Sequence, residues 1–506
     1  MKLILLEADM KTFQLKFMRN RTLIRWLQLL NEFEKSPTRT LGELAEVTES
    51  STRTLITDIA SLREHFKGAI AIHTAKIGYL FEVIDQDRYR KQKQELVNDE
   101  PIFQILESIF YNEQQSLLDW SLTLNISEQA LISYFRKIQP FLSPFGLKIK
   151  TDPVSLAGSE IDIRKFFCLF YYESDINVHT LFPSIHVQDA VMEITDLLET
   201  KALQSSSFSY FAYILYISVE RSKRGLLAAP SPQLKELIKK NDLLFDYEAL
   251  KTIIRRYFHY EFPQEEAVYL LTCIICRRKI NTDLAASEAF CRNYNQWPEI
   301  KQITADFYAQ NRGHSLDEQK DLLWLESFFI VVKLRELLSP TMNINIDDLN
   351  DFVQEKFAAE FAKNRQFLLS HPLVKNLYSL DHLDDFCTSL TFHMEAIIEE
   401  NWGKPRIIAV IFEGNEYVCE HAESIIRKYL GFYHEMYYPD SNELSHEYLK
   451  EKNINLLITN YPEYATEYLL DVESVLLKSI PDAADWNHLL NRINPRILQL
   501  VVLDNT

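Results

Sequence analysis

The sequence predicts a mainly α-helical chain of several domains that ends in a small α/β domain, and three observations carry this expectation. Its 506 residues exceed the roughly 250–300 at which a single hydrophobic core stops growing. Glycine occurs only ten times, against an average usage of about 7%, while apolar side chains recur at helical spacing over long stretches. After Lys404 the pattern changes, and short apolar runs of strand length alternate with helical segments. With 47% hydrophobic and 12% aromatic residues the chain can bury sizeable cores, so disorder is not expected.

Several function classes are excluded at this level. The longest apolar runs, such as 211–219 with Ser218 inside it, fall short of the about 18 residues a membrane span needs. Before Glu7 and Asp9 the N-terminal stretch has a four-residue apolar run, too short for the core of a signal peptide. A cytoplasmic protein with no membrane partner is therefore expected. Cysteines 168, 273, 276, 291, 387 and 419 are scattered rather than spaced as a disulfide framework. The C-x-x-C of Cys273 and Cys276 lies in the apolar run AVYLLTCIIC with no second pair at zinc spacing, so buried thiols are expected there. No two glycines are closer than Gly68 and Gly78, which removes both G-x-G-x-x-G and the P-loop. Neither a cofactor nor a metal is expected, and the chain does not read as an enzyme.

Residues 41–66, LGELAEVTESSTRTLITDIASLREHF, place Leu41, Leu44, Ala45, Leu55, Ile59, Leu62 and Phe66 at spacings that fit two short helices. Thr40 can cap the first, and Ser50 or Ser51 the second, because a hydroxyl there accepts from orphan backbone N–H groups. A helix from about Arg21 to Phe33 supplies a third wall. Ala69 to Val83 alternates around Gly78 as a β-wing would. Shifting the chain by 76 residues reproduces the unit. Leu41 falls on Leu117, Leu44 on Trp120, Ser51 on Ser127, Leu55 on Leu131, Ile59 on Phe135 and Leu62 on Ile138. The second copy then has its helix pair in SLLDWSLTLNISEQALISYFRKIQPF and a wing from Leu147 to Leu156.

This is the pattern of a duplicated winged helix-turn-helix, whose second helix enters the major groove of duplex DNA. Its outward residues are Thr52, Arg53 and Thr57 in the first copy and Gln129, Ser133, Arg136 and Lys137 in the second, types suited to base edges and phosphates. For any one of them a plain solvated helix residue is an equal reading; the duplication favours DNA for the motif as a whole. The net charge of −18 argues against a DNA partner until it is divided. Residues 1–150 hold 20 Lys and Arg against 19 Asp and Glu, and the remainder holds 34 against 53. Lys11, Lys16, Arg19, Arg21, Arg25, Lys35 and Arg39 face only Glu32 and Glu34 between residues 11 and 40, so a local basic patch is expected.

From about Ile161 to Trp402 helical periodicities run over 208–224, 232–258, 263–281, 317–338, 346–370 and 382–402, punctuated by Pro230, Pro232 and Pro340. This suits two bundles of about 120 residues each. The segments YILYISVERSKRG (213–225), EEAVYLLTCII (265–275) and LTFHMEAII (390–398) resemble the phosphotransferase-regulation domains (PRDs) of bacterial regulators, which carry phosphorylatable histidines. In the first such domain the two histidine slots hold Ile214 and Cys273. In the second, Phe328 fills the early slot, and His393 matches the late one. The resemblance makes His393 the candidate phosphoacceptor; the competing reading is a histidine hydrogen-bonded in the core. His179, His186, His259, His314, His371 and His382 have no such motif.

In the C-terminal part, IIAVIF (407–412), NLLITN (455–460) and SVLLK (474–478) read as strands, with helices from Tyr417 to Leu430 and from Asp482. A small parallel sheet is expected. This region is similar to the IIB component of sugar phosphotransferase systems, whose active members place a phosphocysteine directly after the first strand. Here that place reads Glu413-Gly414-Asn415-Glu416, and Cys419 lies further on. The carboxylates would repel phosphate, so dimerisation or sensing is expected instead of phosphotransfer.

The order of parts resembles the Mga/AtxA family of PRD-containing virulence regulators over essentially the whole chain. The parts are 11–90 and 91–160 (winged helix-turn-helix), 161–285 and 286–402 (PRD-like) and 403–506 (IIB-like). The resemblance implies a transcription regulator of virulence or carbohydrate-linked genes, with double-stranded DNA as partner. It also implies tuning by the histidine phosphocarrier protein of the phosphotransferase system and by homodimerisation. The rivals are a phosphotransferase component, weakened by the missing cysteine, and a PRD-containing RNA-binding antiterminator, weakened by a helical rather than small-β N-terminus.

Overall fold

The structure, a computed structural model, describes residues 4–5, 13–76, 78–98, 100–173, 181, 183–199, 207–240, 247–277, 284–311, 318–401, 406–467, 472–493 and 501–502. It is mainly helical and divides into two compact units. One comprises Asp9–Gly313 and Asp317–Ile397, and the other Ile398–Thr506 with Met1–Ala8. Among the described residues no helix is long and apolar enough to cross a membrane.

The helical unit opens with two copies of one motif. In the first, the helix Arg21–Lys35 is capped by Asn20, Leu41–Val47 begins at a capping box of Thr40 and Glu43, and Thr52–His65 is capped by Ser51. A hairpin of Ile70–Ala75 and Gly78–Val83 follows, with Thr38–Arg39 as its third strand. Gly78 has φ +125°, and a Cβ there would lie 2.3 Å from the Arg39 carbonyl oxygen, so the strand pairing itself requires glycine. Leu27, Leu30, Phe33, Leu44, Leu55, Ile59, Leu62, Phe66 and Phe81 bury their side chains together.

The second copy repeats this with Pro101–Phe110, with Leu117–Thr123 behind a capping box of Ser116 and Asp119, and with Glu128–Leu142 capped by Ser127. Its hairpin is Lys148–Thr151 with Val154–Ala157. The 76-residue repeat extends into the turn. Glu49 (φ 48°) and Asn125 (φ 51°) both take the left-handed conformation, and the following N–H groups of Ser50 and Ile126 return to the carbonyls of Ala45 and Ser121 at 3.1 and 3.0 Å. Both first helices thus end in the same left-handed C-terminal turn, and it aims the second helix of each pair. Leu44 and Trp120, Leu55 and Leu131, Ile59 and Phe135, and Leu62 and Ile138 are all buried.

The rest of the unit is helical from Glu160–Cys168 to Leu383–Asn401. Two of the long periodicities prove to be pairs of helices. Residues 232–258 form Pro232–Lys240 and Tyr247–Phe258, with 241–246 outside the described residues. Residues 346–370 form Asp347–Lys356 and Ala358–Ser370. The chain bends at Phe357 (φ −122°, ψ 40°), whose N–H still bonds the Val353 carbonyl. The helix expected over 263–281 is Gln264–Ile275, and 278–281 lie outside the described residues. None of the six cysteines is joined in a disulfide, and Cys273 and Cys276 are buried.

The C-terminal unit is a four-stranded parallel sheet in the order Glu473–Leu476, Leu456–Thr459, Ile407–Ile411, Glu435–Tyr437. The Glu435–Tyr437 strand is additional to those the sequence shows, because three residues carry no alternation to detect. Ile408 and Val410 face a core with Ala422, Ile426 and Leu489, while Ala409 and Ile411 face Leu444, Leu449 and Tyr464. Side-chain alternation thus buries both faces of the central strand, as a parallel sheet covered on both sides requires. Ile4–Leu5 pairs antiparallel with Val501–Val502.

Candidate nucleic-acid interface

Each second helix of the two motifs turns one face to its core and the other to solvent. On Thr52–His65, Leu55, Asp58, Ile59 and Leu62 point inward, and Thr52, Arg53 and Thr57 are exposed. On Glu128–Leu142, Leu131, Tyr134, Phe135, Ile138 and Leu142 point inward, and Gln129, Ser133, Arg136 and Lys137 are exposed. The seven candidate residues therefore lie on two equivalent outward faces, where donors and cations can meet base edges and phosphates.

The basic segment before the first motif differs from expectation. Arg25 pairs with Asp58 at 2.7 Å, and Trp26 donates its indole N–H to the same buried carboxylate at 3.1 Å. Lys35 and Arg39 both pair with the buried Glu32, and Lys16 pairs with Asp347. Arg19 lies over the Tyr134 ring, and Lys11 is outside the described residues. A continuous free basic patch is thus not formed, because several of its charges neutralise carboxylates that fold in from elsewhere. Arg19 and Arg21 stay exposed in the segment, and further exposed cations lie on the hairpins, at Lys76, Lys148 and Lys150. The two lysines alternating around Ile149 were a readable sign, since period two puts both on one face. Arg63 ties recognition helix to wing, donating to the Ile72 carbonyl at 2.7 Å and to Thr74 Oγ1 at 3.1 Å.

His393 lies elsewhere in the unit, half-buried on Leu383–Asn401. Its Nε2 is 3.0 Å from the Trp324 carbonyl oxygen, so Nε2 carries the proton, and its ring stacks on Phe328 at 4.9 Å. The two histidine slots of this segment, one holding Phe328 and the other His393, therefore face each other. Burial pushes the imidazole down to about 4, only partly opposed by the Trp324 bond. The equivalent Ile214 and Cys273 are buried, and burial pushes the Cys273 thiol up to about 12. Because His393 stays neutral in the folded chain while an unfolded one titrates near 6.5, native stability should fall as pH drops from about 6.5 toward 4. Thermal unfolding of the wild type and of His393→Gln across that range should show a steeper decline for the wild type; parallel curves would remove His393 as the cause.

In the C-terminal unit the loop after the first strand is internally bonded. The Glu413 N–H donates to Asn460 Oδ1 at 2.8 Å, and Asn460 Nδ2 donates to the Glu413 carbonyl at 2.7 Å. Tyr464 donates its hydroxyl to the Glu413 carboxylate, and Asn415 caps the following helix. Burial, with Glu423 and Glu413 nearby, raises the Cys419 thiol, which disfavours a thiolate nucleophile. Among the described residues no cluster of His, Cys, Asp and Glu could hold a metal ion.

Two repeated three-helix motifs, each with a hairpin wing, define a helix-turn-helix protein. Residues 89–171, spanning the second copy, match the Mga helix-turn-helix domain. The chain is also 20% identical over 187 residues to the capsule synthesis positive regulator AcpB of Bacillus anthracis, an alignment covering 36% of this chain and 39% of that protein. The likeness is thus to one domain of the Mga type and to a part of one distant regulator, of whose length the chain spans less than half.

Proposed function

We propose that the chain is a DNA-binding transcription regulator of virulence-related genes, which grips duplex DNA with two recognition helices. The observation that carries this reading is the duplicated helix-turn-helix, repeated at a spacing of 76 residues down to the left-handed turn at Glu49 and Asn125, with candidate base-reading residues outward in both copies. The Mga match over residues 89–171 and the resemblance to a capsule regulator support the same reading. A gel-shift titration on genomic fragments at stated salt tests it. Tight binding to a few fragments is the expected result, and equal weak binding to all of them would overturn it.

The finer reading is that 161–285 and 286–402 are PRD-like domains, that the histidine phosphocarrier protein phosphorylates His393, and that the IIB-like 403–506 dimerises the chain. The Trp324 carbonyl engages Nε2 of His393, so a phosphoryl group would fall on Nδ1. A phosphate there brings about two negative charges into an aromatic contact with Phe328, enough to reset the helical packing. Dimerisation is supported by Phe432, 99% exposed, with Tyr429 and Tyr433 exposed beside it, an aromatic patch of the kind that marks contact surfaces. Linking two DNA-binding modules also raises affinity, because the second contact becomes intramolecular. Deleting residues 404–506 should therefore shift the chain from dimer toward monomer and weaken, without abolishing, DNA binding. Light scattering on both proteins decides this, and a truncated chain still fully dimeric at micromolar concentration would place the interface in the helical unit.

A further inference from the structure

We propose that Ile56 is a specificity-determining residue that packs against the 5-methyl group of thymine in the major groove. The inference rests on the DNA-binding reading above and deepens it by assigning a base feature to the first recognition helix. Ile56 is 52% exposed, whereas Leu55, Ile59 and Leu62 on the same helix are fully buried. The core is filled without it, so folding gives no reason for an isoleucine in water at this position. It lies at the centre of the outward face, in the stripe of Thr52, Arg53, Ile56, Thr57 and Ala60, all exposed. Thr57 returns its hydroxyl to the Arg53 carbonyl at 3.3 Å, so what it offers outward is chiefly a methyl group. Three neighbouring side chains therefore present hydrocarbon, beside the Arg53 cation, which suits a phosphate or a guanine edge. The next basic residue along this helix, Arg63, is committed to the wing.

The second copy differs at the same positions. Ile132, 76 residues after Ile56, is only partly exposed, and Ser133, Arg136 and Lys137 stand where the first copy has Thr57, Ala60 and Ser61. The first recognition helix thus sets a hydrocarbon patch beside a single cation, Arg53, and the second offers hydrogen-bond donors and two cations. On the base edges of the major groove the thymine 5-methyl is the apolar group, and apolar side chains there select it. The two copies then divide the work: the first selects thymine by its methyl, and the second reads polar edges and anchors phosphates.

The test uses the full chain and duplexes enriched from a randomised pool, one of which is resynthesised with deoxyuridine replacing single thymidines so that only the methyl is lost. At one or two positions the wild type should bind about three- to tenfold more weakly to the uracil duplex. Ile56→Ala should bind the thymine duplex about as weakly as the wild type binds the uracil one, and should be indifferent to the exchange, since the pair is then already broken. Arg136→Ala, the control, should weaken both duplexes and keep the uracil sensitivity. Unchanged melting of Ile56→Ala shows that the fold is intact. Wild-type binding insensitive to uracil at every position overturns the proposal, as does an Ile56→Ala protein as uracil-sensitive as the wild type. So does a loss of oligomer mass in Ile56→Ala with DNA binding intact, which would make Ile56 a protein contact. If the wild type enriches no sequence, the DNA-binding reading itself fails, and the proposal with it.

Discussion

Replacing Glu266 by alanine should lower the stability of the helical unit by about 3–5 kcal/mol. Arg164 and Glu266 are both 0% exposed, and the guanidinium meets the carboxylate through two bonds, at 2.6 and 3.0 Å. Glu266 also accepts from the Ala228 N–H at 2.7 Å, and Arg164 donates to Glu160 and to the Leu226 carbonyl, each at 2.8 Å. Removing the carboxylate leaves two buried guanidiniums that cannot shed their protons, Arg164 and Arg221, sharing the single Glu160 carboxylate. Replacing both partners by apolar residues of similar volume should cost far less, because no stranded charge remains. Denaturant unfolding of Glu266→Ala beside Arg164→Met/Glu266→Leu checks this, and equal midpoints would show that the pair is not what the fold depends on. The network also joins the second helix-turn-helix segment to the following helices. Arg221 pairs with Glu160 and donates to the carbonyls of Ile109 and Phe110, at the C-terminal end of Pro101–Phe110, where a cation is favourably placed.

The second large effect concerns the two faces of the recognition helices. Leu55 and Leu131 are fully buried, so Leu55→Ala and Leu131→Ala should each destabilise by about 2–5 kcal/mol, through lost transfer energy and the cavity left behind. Arg53 and Arg136 are exposed, and their alanine variants should stay within about 0.5 kcal/mol of the wild type while losing DNA affinity. The unfolding midpoints of all four variants decide this. Arginine and leucine variants that unfold together would mean the inward and outward faces are wrongly assigned.

These predictions show which features could be read from sequence. The helix starts at Thr40, Ser51, Ser116 and Ser127 were visible because capping is a local signal, and the faces followed from periodicity confirmed by the second copy. The left-handed turns at Glu49 and Asn125 were not legible, because nothing in the residue type of Glu49 marks such a backbone. Pairings between distant residues were not visible. Arg25 lies 33 positions from Asp58, Lys16 lies 331 from Asp347, and Arg164 lies 102 from Glu266. A count of neighbouring charges therefore overstated the basic patch. For the same reason the stacking of His393 on Phe328, 65 positions apart, could be found only in the fold, as could its bond to the Trp324 carbonyl and the burial that pushes its imidazole down to about 4.

The central claim, that both recognition helices engage duplex DNA, is tested most directly by the salt dependence of binding. Each phosphate contact releases counterions, so the slope of log affinity against log salt counts contacts, at about 0.9 per phosphate. Lys137 and Arg136 stand exposed at the outward face of the second helix, and Lys137→Ala should reduce the slope by about one. Fluorescence anisotropy of one enriched duplex, from about 50 to 200 mM salt, supplies the measurement for the wild type, Arg53→Ala, Arg136→Ala and Lys137→Ala. A steep wild-type slope, weaker binding in all three variants and a shallower slope for Lys137→Ala are the predicted results. Wild-type affinity and slope retained in the variants of both helices would contradict the account.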